Sequence, residues 1–291
     1  MTAFLTELGK NMATRWASAL ALPAAVFVAV ALVAVTLGPS HALDVELLRT
    51  RVTAVSSGPA LVWAAAALLA ATAVVGLAVT ALGGVVIFAW GVTGTGVGRP
   101  FVALRHRRWR RAAAKADVAV KAVLADRSDR RAKRQARRAV LRRDAISQIE
   151  PQCPTWAGDR LRAVDERVGR GTGLDLTTTW PRLWLMLPDA ARTEVATVQE
   201  RCGAAARTPV WGLAYLMVGV YWWPALVPGV CAFLVSRHRI RRAVGVYADL
   251  VEASVDLYAR DVANQIGFEL TGRLTPSIGE QLTEVLQKRL S

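Results

Sequence analysis

Apolar residues are pooled into long uninterrupted stretches along this chain rather than dispersed at helix or strand periods. Three stretches contain no Asp, Glu, Lys or Arg, and they cover residues 16–43, 52–98 and 208–236. A helix needs about 20 predominantly apolar residues to cross the roughly 30 Å hydrocarbon layer of a bilayer. Each stretch exceeds that length. The pattern therefore predicts an all-α, polytopic helical membrane protein.

The first two stretches predict an N-terminal transmembrane hairpin within residues 1–98. Its first segment ends at Gly38-Pro39, and its second begins after Gly58-Pro59 and stays apolar to about residue 92. The residues between them, 41–57, are expected to form a short loop without net charge. Lys and Arg flanks favour the cytoplasmic side of a membrane, so the arginine-rich sequence that follows places both ends of this hairpin in the cytoplasm.

Small residues recur at intervals of four along the second segment, which places them on one narrow helix face. Such residues allow another helix to approach closely, because lipid provides no hydrophobic drive for helix association. Three interpretations stay open: packing against the first segment of the same chain, self-association, or a pore lining with two threonine hydroxyls as its polar groups. The residues of this face are Thr72, Gly76, Thr80 and Gly84.

Residues 99–150 form a basic arm. They contain 17 Lys and Arg against 5 Asp and Glu, which is +12 of the net charge of +15 for the chain. No Pro or Gly interrupts residues 101–149, and the composition favours a long cytoplasmic helix. The side chains expected to contact a lipid or an acidic partner are Arg105, Arg107, Arg108, Arg110, Arg111, Arg130, Arg131 and Arg134.

Three interpretations compete for the charge of the basic arm. It could contact anionic lipid headgroups, or dock an acidic cytoplasmic partner, including the acidic face of this chain's own C-terminal region. Nucleic-acid binding is the third interpretation, since the pI is near 11. It is disfavoured because attachment to anionic lipid already accounts for the charge.

The third stretch, residues 208–236, is long for one membrane span and short for two. A single crossing would leave the four arginines of residues 237–242 outside, against the charge rule. A hairpin over residues 204–240, with its turn at 222–224, keeps both ends inside, and a re-entrant loop is the alternative. The prediction is four membrane segments in a bacterial cytoplasmic membrane, with both termini in the cytoplasm.

Residues 151–203 are predicted to be a cytoplasmic amphipathic and aromatic segment. Thr155 is a candidate N-cap of a helix, and an aromatic linker with two prolines leads to another helix over about 190–201. Tryptophan prefers the headgroup zone of a membrane, so four tryptophans of the chain are expected to be interfacial anchors. They are Trp180, Trp184, Trp222 and Trp223.

Four carboxylates of the same segment could be imagined as acid and base groups. Each has an arginine nearby in the sequence, and nothing in the spacing makes them converge, so we expect surface ion pairs instead. They are Asp159, Asp165, Glu166 and Asp175.

Residues 241–291 are predicted to form cytoplasmic amphipathic helices. One has an acidic face that includes Asp249 and Glu252, and the last opens at Thr275-Pro276, with Pro at its first position. The last helix is expected to dock on its own domain, or alternatively to mediate contact with a partner or a second copy.

Composition adds few candidates for chemistry. The chain is 53% hydrophobic, and its three cysteines and three histidines are widely spaced, which argues against a zinc site or a disulfide framework. The three uncharged stretches contain no ionisable Asp, Glu, Lys or Arg of the kind that coupled transporters use. We therefore expect no catalytic, cofactor-binding or metal-binding residues and no enzyme activity.

Four short sequence blocks support a resemblance. Pro154-Thr155-x-x-Gly158-Asp159-x-Leu161-Arg162-Ala163 is followed by Gly173-Leu174-Asp175, by Trp180-Pro181-Arg182-Leu183-Trp184, and by Tyr247-x-Asp249-Leu250-Val251-Glu252-Ala253. This order resembles a family of uncharacterised multi-pass membrane proteins of high-GC bacteria, over about residues 154–259. The resemblance implies the organisation of that family and no activity.

These observations leave two functions. The first is an oligomeric membrane assembly, a homo-oligomer of the channel or pore-effector type controlled by its cytoplasmic helices. The alternative is a membrane-anchored scaffold or adaptor, whose basic arm and C-terminal helices bind a cytoplasmic partner.

Overall fold

The computed structural model of the chain describes residues 21–55, 60–92, 98–268, 270, 272 and 274–287. Within those residues the regular elements are α-helices and one short 3₁₀ turn, without a strand. The helices are α1 (Leu22–Leu37), α2 (Val45–Val55), α3 (Ala60–Gly91), α4 (Arg99–Ala125), α5 (Arg130–Asp144), α6 (Trp156–Thr172), α7 (Leu176–Met186), α8 (Asp189–Tyr221), α9 (Leu226–Gln265) and α10 (Pro276–Leu286).

The chain divides into two compact units. The first unit comprises residues 1–86 and 203–238, and the second comprises 87–202 and 239–291. The apolar stretches thus fall largely in the first unit, and the charged regions fall in the second. The sequence analysis predicted separate segments over residues 99–150, 151–203 and 241–291. In the structure these segments, apart from residue 203, lie together in the second unit.

The first unit combines the elements of both predicted hairpins. Phe27 of α1 lies against Trp211 and Tyr215 of α8, with ring centroids 5.8 and 5.2 Å apart. The turn between α8 and α9 is a 3₁₀ turn at Trp223–Ala225, close to the predicted turn at 222–224. The predicted loop between the first two segments is wrong in one respect, because it contains the helix α2.

One helix among the described residues is long and apolar enough to cross a membrane. It is Leu61–Gly91 within α3, with a mean hydropathy of 2.3, and its most apolar part is 11% buried. Helix α1 is apolar but has only 16 residues in the described part of the chain. The predicted bounds of the second segment are therefore confirmed. The prediction of four spans is not confirmed, because one membrane-capable helix is found among the described residues.

The second unit has its own hydrophobic core. Val164 and Val168 of α6, Leu183 of α7, Val255 of α9 and Leu282 of α10 form its centre, each at most 4% exposed. This confirms the predicted amphipathic character of α6. Helix α10 docks on its own domain, as expected for the last helix, because Leu282 lies in this core.

The basic arm is not one continuous helix. Helix α4 ends at Ala125 and α5 begins at Arg130, and the two helices pack against each other as a hairpin, here called the basic hairpin. Asp126 accepts hydrogen bonds from the Ser128 amide and hydroxyl, at 2.8 and 2.6 Å, and Asp129 caps α5 by accepting from the Arg131 amide. Asp and Ser favour such caps and turns, which explains a break without Pro or Gly.

Two further predictions about helix boundaries are wrong. The aromatic linker is the helix α7, which contains Pro181, and the helix placed at 190–201 continues as α8 to Tyr221 through Pro209. In both cases the helix tolerates an internal proline because its flanks pack in the tertiary structure, whereas proline in isolation ends a helix.

Candidate functional site

An open groove of about 850 Å³ lies between the two helices of the basic hairpin. Its floor consists mainly of alanines, including Ala119, which is 8% exposed. All the charged residues that line it are basic: Lys115, Arg131, Arg134, Arg138 and Arg142. Ala114, Ala122, Ala132 and Ala139 complete much of the apolar floor.

The predicted arginines divide between the groove and other positions. Arg131 and Arg134 line the groove, whereas Arg107, Arg108, Arg110 and Arg111 are exposed on α4, and Arg130 is exposed at the first position of α5. Sequence reasoning missed Lys115, Arg138 and Arg142. The signal that could have placed them was Asp126-Arg127-Ser128-Asp129, because two capping aspartates predict a break and hence two facing helices.

Arg105 is not available for a lipid or a partner. Its guanidinium donates at 2.6 Å to Asp159, which is 1% exposed, and also donates at 2.9 Å to the Ile146 carbonyl and at 3.3 Å to the Pro154 carbonyl. Burial lowers the pKa of Arg105, and the charge of Asp159 opposes that change. The prediction that Arg105 contacts lipid and the prediction of a surface ion pair at Asp159 are both wrong.

Asp159 holds the chain around the start of α6. Its other oxygen accepts from the amides of Gln152 and Cys153, at 3.0 and 2.9 Å. A buried carboxylate requires such partners, because an unpaired charge in the interior is strongly unfavourable. The Arg105–Asp159 pair therefore attaches the first turns of α4, and with them the basic hairpin, to the body of the second unit.

Further contacts attach the hairpin to the second unit. The Trp109 indole N–H donates to the Ser147 carbonyl at 2.9 Å, and Arg241 of α9 donates to the Ala145 carbonyl at 2.7 Å. Arg241 also lies over the ring of Trp156, 5.0 Å from its centroid, in a cation–π contact. The hairpin is thus held at its base, and its groove stays open.

The acidic face of α9 has partners on α6. Arg167 forms a bidentate pair with Glu252, at 2.8 and 2.7 Å, and Arg160 pairs with Asp249. The hydrogen bonds from Arg167 lower the pKa of the Glu252 carboxyl. The interpretation in which the basic arm binds this acidic face is therefore wrong for these two carboxylates, because α6 supplies their arginines.

The resemblance pattern is explained by packing around α6. The Gly158 amide donates to the Thr155 hydroxyl at 3.1 Å, which confirms the predicted N-cap. A methyl group at Gly158 would lie 2.0 Å from the Trp90 carbonyl oxygen, so only glycine permits this approach. Asp175 caps α7 by accepting from the Thr177 amide, at 3.1 Å. The contacts of Thr155, Gly158 and Asp175 thus build the second unit.

The small-residue face of α3 is packed against another helix at one position and open at another. A methyl group at Gly76 would lie 3.8 Å from the Ala24 side chain of α1, which supports packing within the chain. The hydroxyls of Thr72 and Thr80 donate to the carbonyls of Leu68 and Gly76 in their own helix, at 2.8 Å each. Gly84 has nothing within 4 Å, so that end of the face is open.

The four predicted anchors have different environments. Trp180 packs against the core of the second unit and lies 6.2 Å from Trp184 between ring centroids. Trp222 donates its indole N–H to the Ala42 carbonyl at 3.1 Å, whereas Trp223 is 54% exposed. Packing within the fold accounts for Trp180 and Trp222.

The cysteine thiols outside the apolar stretches are not activated. Burial raises the pKa of Cys153, and it raises the pKa of Cys202 to about 11. A reactive cysteine has a lowered pKa. Among the described residues, no three His, Cys, Asp or Glu side chains are grouped to hold a metal ion.

The features that bear on function are the cationic groove, the membrane-capable helix and the anchored hairpin. Comparison of the chain with protein-family models, with curated proteins and with solved structures finds no match.

Proposed function

We propose that the protein is a non-enzymatic, membrane-anchored adaptor whose basic hairpin docks an acidic amphipathic helix of a cytoplasmic partner. The observation that carries the proposal is the groove between α4 and α5, with five basic side chains around an alanine floor. Two packed helices with a shared open groove present the surface on which a third helix completes a bundle.

The composition of the groove favours a helix over other anionic partners. Nucleic acid and free phosphate need charge but no apolar floor. A membrane surface is bound by helices with several large apolar side chains that insert among the lipids, whereas Val118 is the one large apolar side chain among the residues that line this groove and the others of its apolar floor are alanine. Alanine permits close helix approach, and the basic rim complements Asp and Glu on the flanks of an incoming helix.

The first unit is proposed to be the anchor. The most apolar part of helix α3 is 11% buried, unlike the core helix of a soluble domain. Large side chains of the first unit such as Leu69, Val220 and Leu234 are more than two-thirds exposed. Burying that surface in lipid removes its cost in water. We propose four membrane segments from α1, α3 and the turn-linked parts of α8 and α9, in a bacterial cytoplasmic membrane.

The proposed topology keeps both termini and the basic hairpin in the cytoplasm, because arginine-rich segments resist translocation. Kinship with the multi-pass family of high-GC bacteria is part of the same proposal. Its support is the pattern around α6, α7 and α9, which forms the folded body that holds the hairpin.

A matched pair of variants tests the groove. The full chain in dodecyl maltoside is titrated with a fluorescent 21-residue helical peptide that carries Glu on both flanks of an Ala/Leu face. Arg134→Gln/Arg138→Gln removes two groove charges, and we expect at least tenfold weaker binding. Arg107→Gln/Arg110→Gln removes the same charge outside the groove, and we expect less than a twofold change.

Equal losses in the two variants would show that the arm acts through its overall charge, and the adaptor proposal would fail. The same two variants are tested for binding to vesicles with anionic lipid and to duplex DNA. If either of these binds more tightly than the peptide and distinguishes the two variants, the groove belongs to that partner instead.

A second function, a homo-oligomeric channel, is favoured by one observation. Thr80 is exposed and Gly84 has open space around it, so part of the small-residue face is free for a second copy. Gly84→Cys is expected to cross-link between copies in membranes if the assembly forms. A monomer in native-membrane nanodiscs, without ion flux in liposomes, would exclude the channel and leave the adaptor.

A further inference from the structure

A second cavity, of about 630 Å³, lies inside the second unit, away from the basic groove. Its wall is formed by the end of α3 and by α6, α7 and α9. The size is typical of a small-molecule site, and the lining is mainly apolar with few polar groups, as such sites usually are.

Three aromatic side chains from three different helices line this cavity. They are Trp90 of α3, Trp180 of α7 and Tyr247 of α9. Trp90 is 5% exposed, and Trp180 and Tyr247 are partly buried against the core, so packing holds all three in place. Aromatic faces attract organic cations, and several faces around one space form the usual recognition site for an ammonium group.

Two charged residues line the same cavity, Arg162 and Asp165. Arg162 is already paired, at 2.6 Å with Glu166 and also with the Glu150 carbonyl. Asp165 has no ion-pair partner among the described residues, and both Asp175 and Glu166 add negative charge near it. The charged group of the lining without an ion-pair partner among the described residues is therefore the Asp165 carboxylate, which accepts a hydrogen bond from the Leu176 amide.

We propose that this cavity binds an amphiphilic molecule through an ammonium group, which lies among Trp90, Trp180 and Tyr247 with Asp165 as its counter-ion. The apolar part of the molecule contacts the remaining wall. The same chemistry occurs in a zwitterionic lipid headgroup and in a free alkylammonium compound.

The negative charge of Asp165 in the cavity wall disfavours binding of an anionic amphiphile. Arg162 is engaged with Glu166, so a bound carboxylate or sulfate would meet Asp165, the carboxylate of the lining, with Asp175 adding negative charge near it. The raised pKa of Asp165, caused by burial and then by Asp175 and Glu166, has the same origin. A bound cation would relieve that repulsion.

The test uses the full chain in dodecyl maltoside, an uncharged detergent, with hexyltrimethylammonium as the probe. Tryptophan fluorescence is recorded because Trp90 and Trp180 line the cavity. We expect saturable binding, with at least tenfold weaker binding of hexanoate and of hexanol. Equal or tighter binding of hexanoate would overturn the proposal, because it would make the cavity an anion site or a nonspecific apolar one.

Variants locate the binding. Asp165→Asn keeps the shape of the carboxylate and is expected to weaken binding of the probe at least tenfold, whereas Asp256→Asn, an exposed carboxylate of α9 outside this cavity, should leave it unchanged. Thr177→Phe fills the cavity from an exposed position of α7 and should abolish binding without touching the core. Unchanged affinity in both Asp165→Asn and Thr177→Phe would overturn the proposal.

A second ligand distinguishes the two sources of the ammonium group. Dihexanoyl phosphatidylcholine carries the same group next to a phosphate. If it binds at least tenfold more tightly than hexyltrimethylammonium, and if Asp165→Asn weakens both, the site takes a lipid headgroup. Equal or weaker binding of the phosphatidylcholine assigns the site to a free alkylammonium compound.

Discussion

At the residue scale, the buried Arg105–Asp159 pair has the largest structural consequence. It joins residues 54 positions apart, and each partner has further hydrogen bonds to backbone groups. Replacing a charge in such a pair leaves the other charge buried and uncompensated, which is far more costly than losing a surface ion pair.

Asp159→Asn is therefore expected to lower the free energy of unfolding by about 3 kcal/mol. Denaturant unfolding of the full chain in detergent, followed through the helical signal of the second unit, measures this change. Asp256→Asn, which alters an exposed carboxylate, is the control and should stay within about 0.5 kcal/mol. A similar small change in Asp159→Asn would show that the pair contributes little.

The titration of Glu252 is expected to make the free energy of unfolding depend on pH. Its pKa is lowered in the folded state by hydrogen bonds from Arg167, so the unfolded chain takes up the proton first as the pH falls. The contribution is present above the ordinary glutamate pKa of about 4.3 and is lost as the pH falls through the lower folded value.

Thermal melts of the wild type and of Glu252→Gln between pH 7 and pH 3 test this expectation. The difference in melting temperature between the two proteins should be largest at pH 7 and should shrink on acidification. A difference that stays constant over this range would mean that the Arg167 pair does not determine the titration of Glu252.

At the element scale, helix α10 depends on a close backbone approach. A methyl group at Gly279 would lie 1.7 Å from the Thr172 carbonyl oxygen at the end of α6, and next to it Gly173 adopts φ of +72°. Backbone atoms cannot move away as a flexible side chain does. The contact therefore specifies glycine at position 279 and determines where α10 docks.

Gly279→Ala is expected to displace α10 and to destabilise the second unit by about 3 kcal/mol, as overpacking of a rigid contact does. Hydrogen exchange of α10 and thermal unfolding measure the effect. Gly245→Ala, in α9 with nothing within 4 Å, is the matched control and should stabilise the protein by about 0.5–1 kcal/mol. Retained protection of α10 in Gly279→Ala would contradict the docking.

At the scale of the whole molecule, the apolar stretches and the charged regions fold into different units. The first unit exposes many large apolar side chains, and the second has a closed core and a basic hairpin. This separation is what a chain with one part in lipid and one part in water requires.

Cysteine labelling tests the proposed topology. In a background without Cys153, Cys202 and Cys231, Trp223→Cys is expected to react with an impermeant maleimide in intact spheroplasts. Ser128→Cys, in the turn of the basic hairpin, should react only after permeabilisation. Protection of position 223 in intact spheroplasts would mean that α8 and α9 do not form an outward hairpin.

The local features of this protein follow from its amino-acid sequence. Charge-free stretches and Ala-rich composition were sufficient for the helical class and the bounds of α3. Thr155 and the turn at residues 222–224 were recognisable because caps and turns act over three or four residues. Which charges are buried and which helices face each other became apparent from the fold alone. Arg105 resembles the neighbouring arginines in the sequence, but it is half-buried because it pairs with Asp159. The groove and the aromatic cavity likewise exist only because distant helices pack together, which no local pattern encodes.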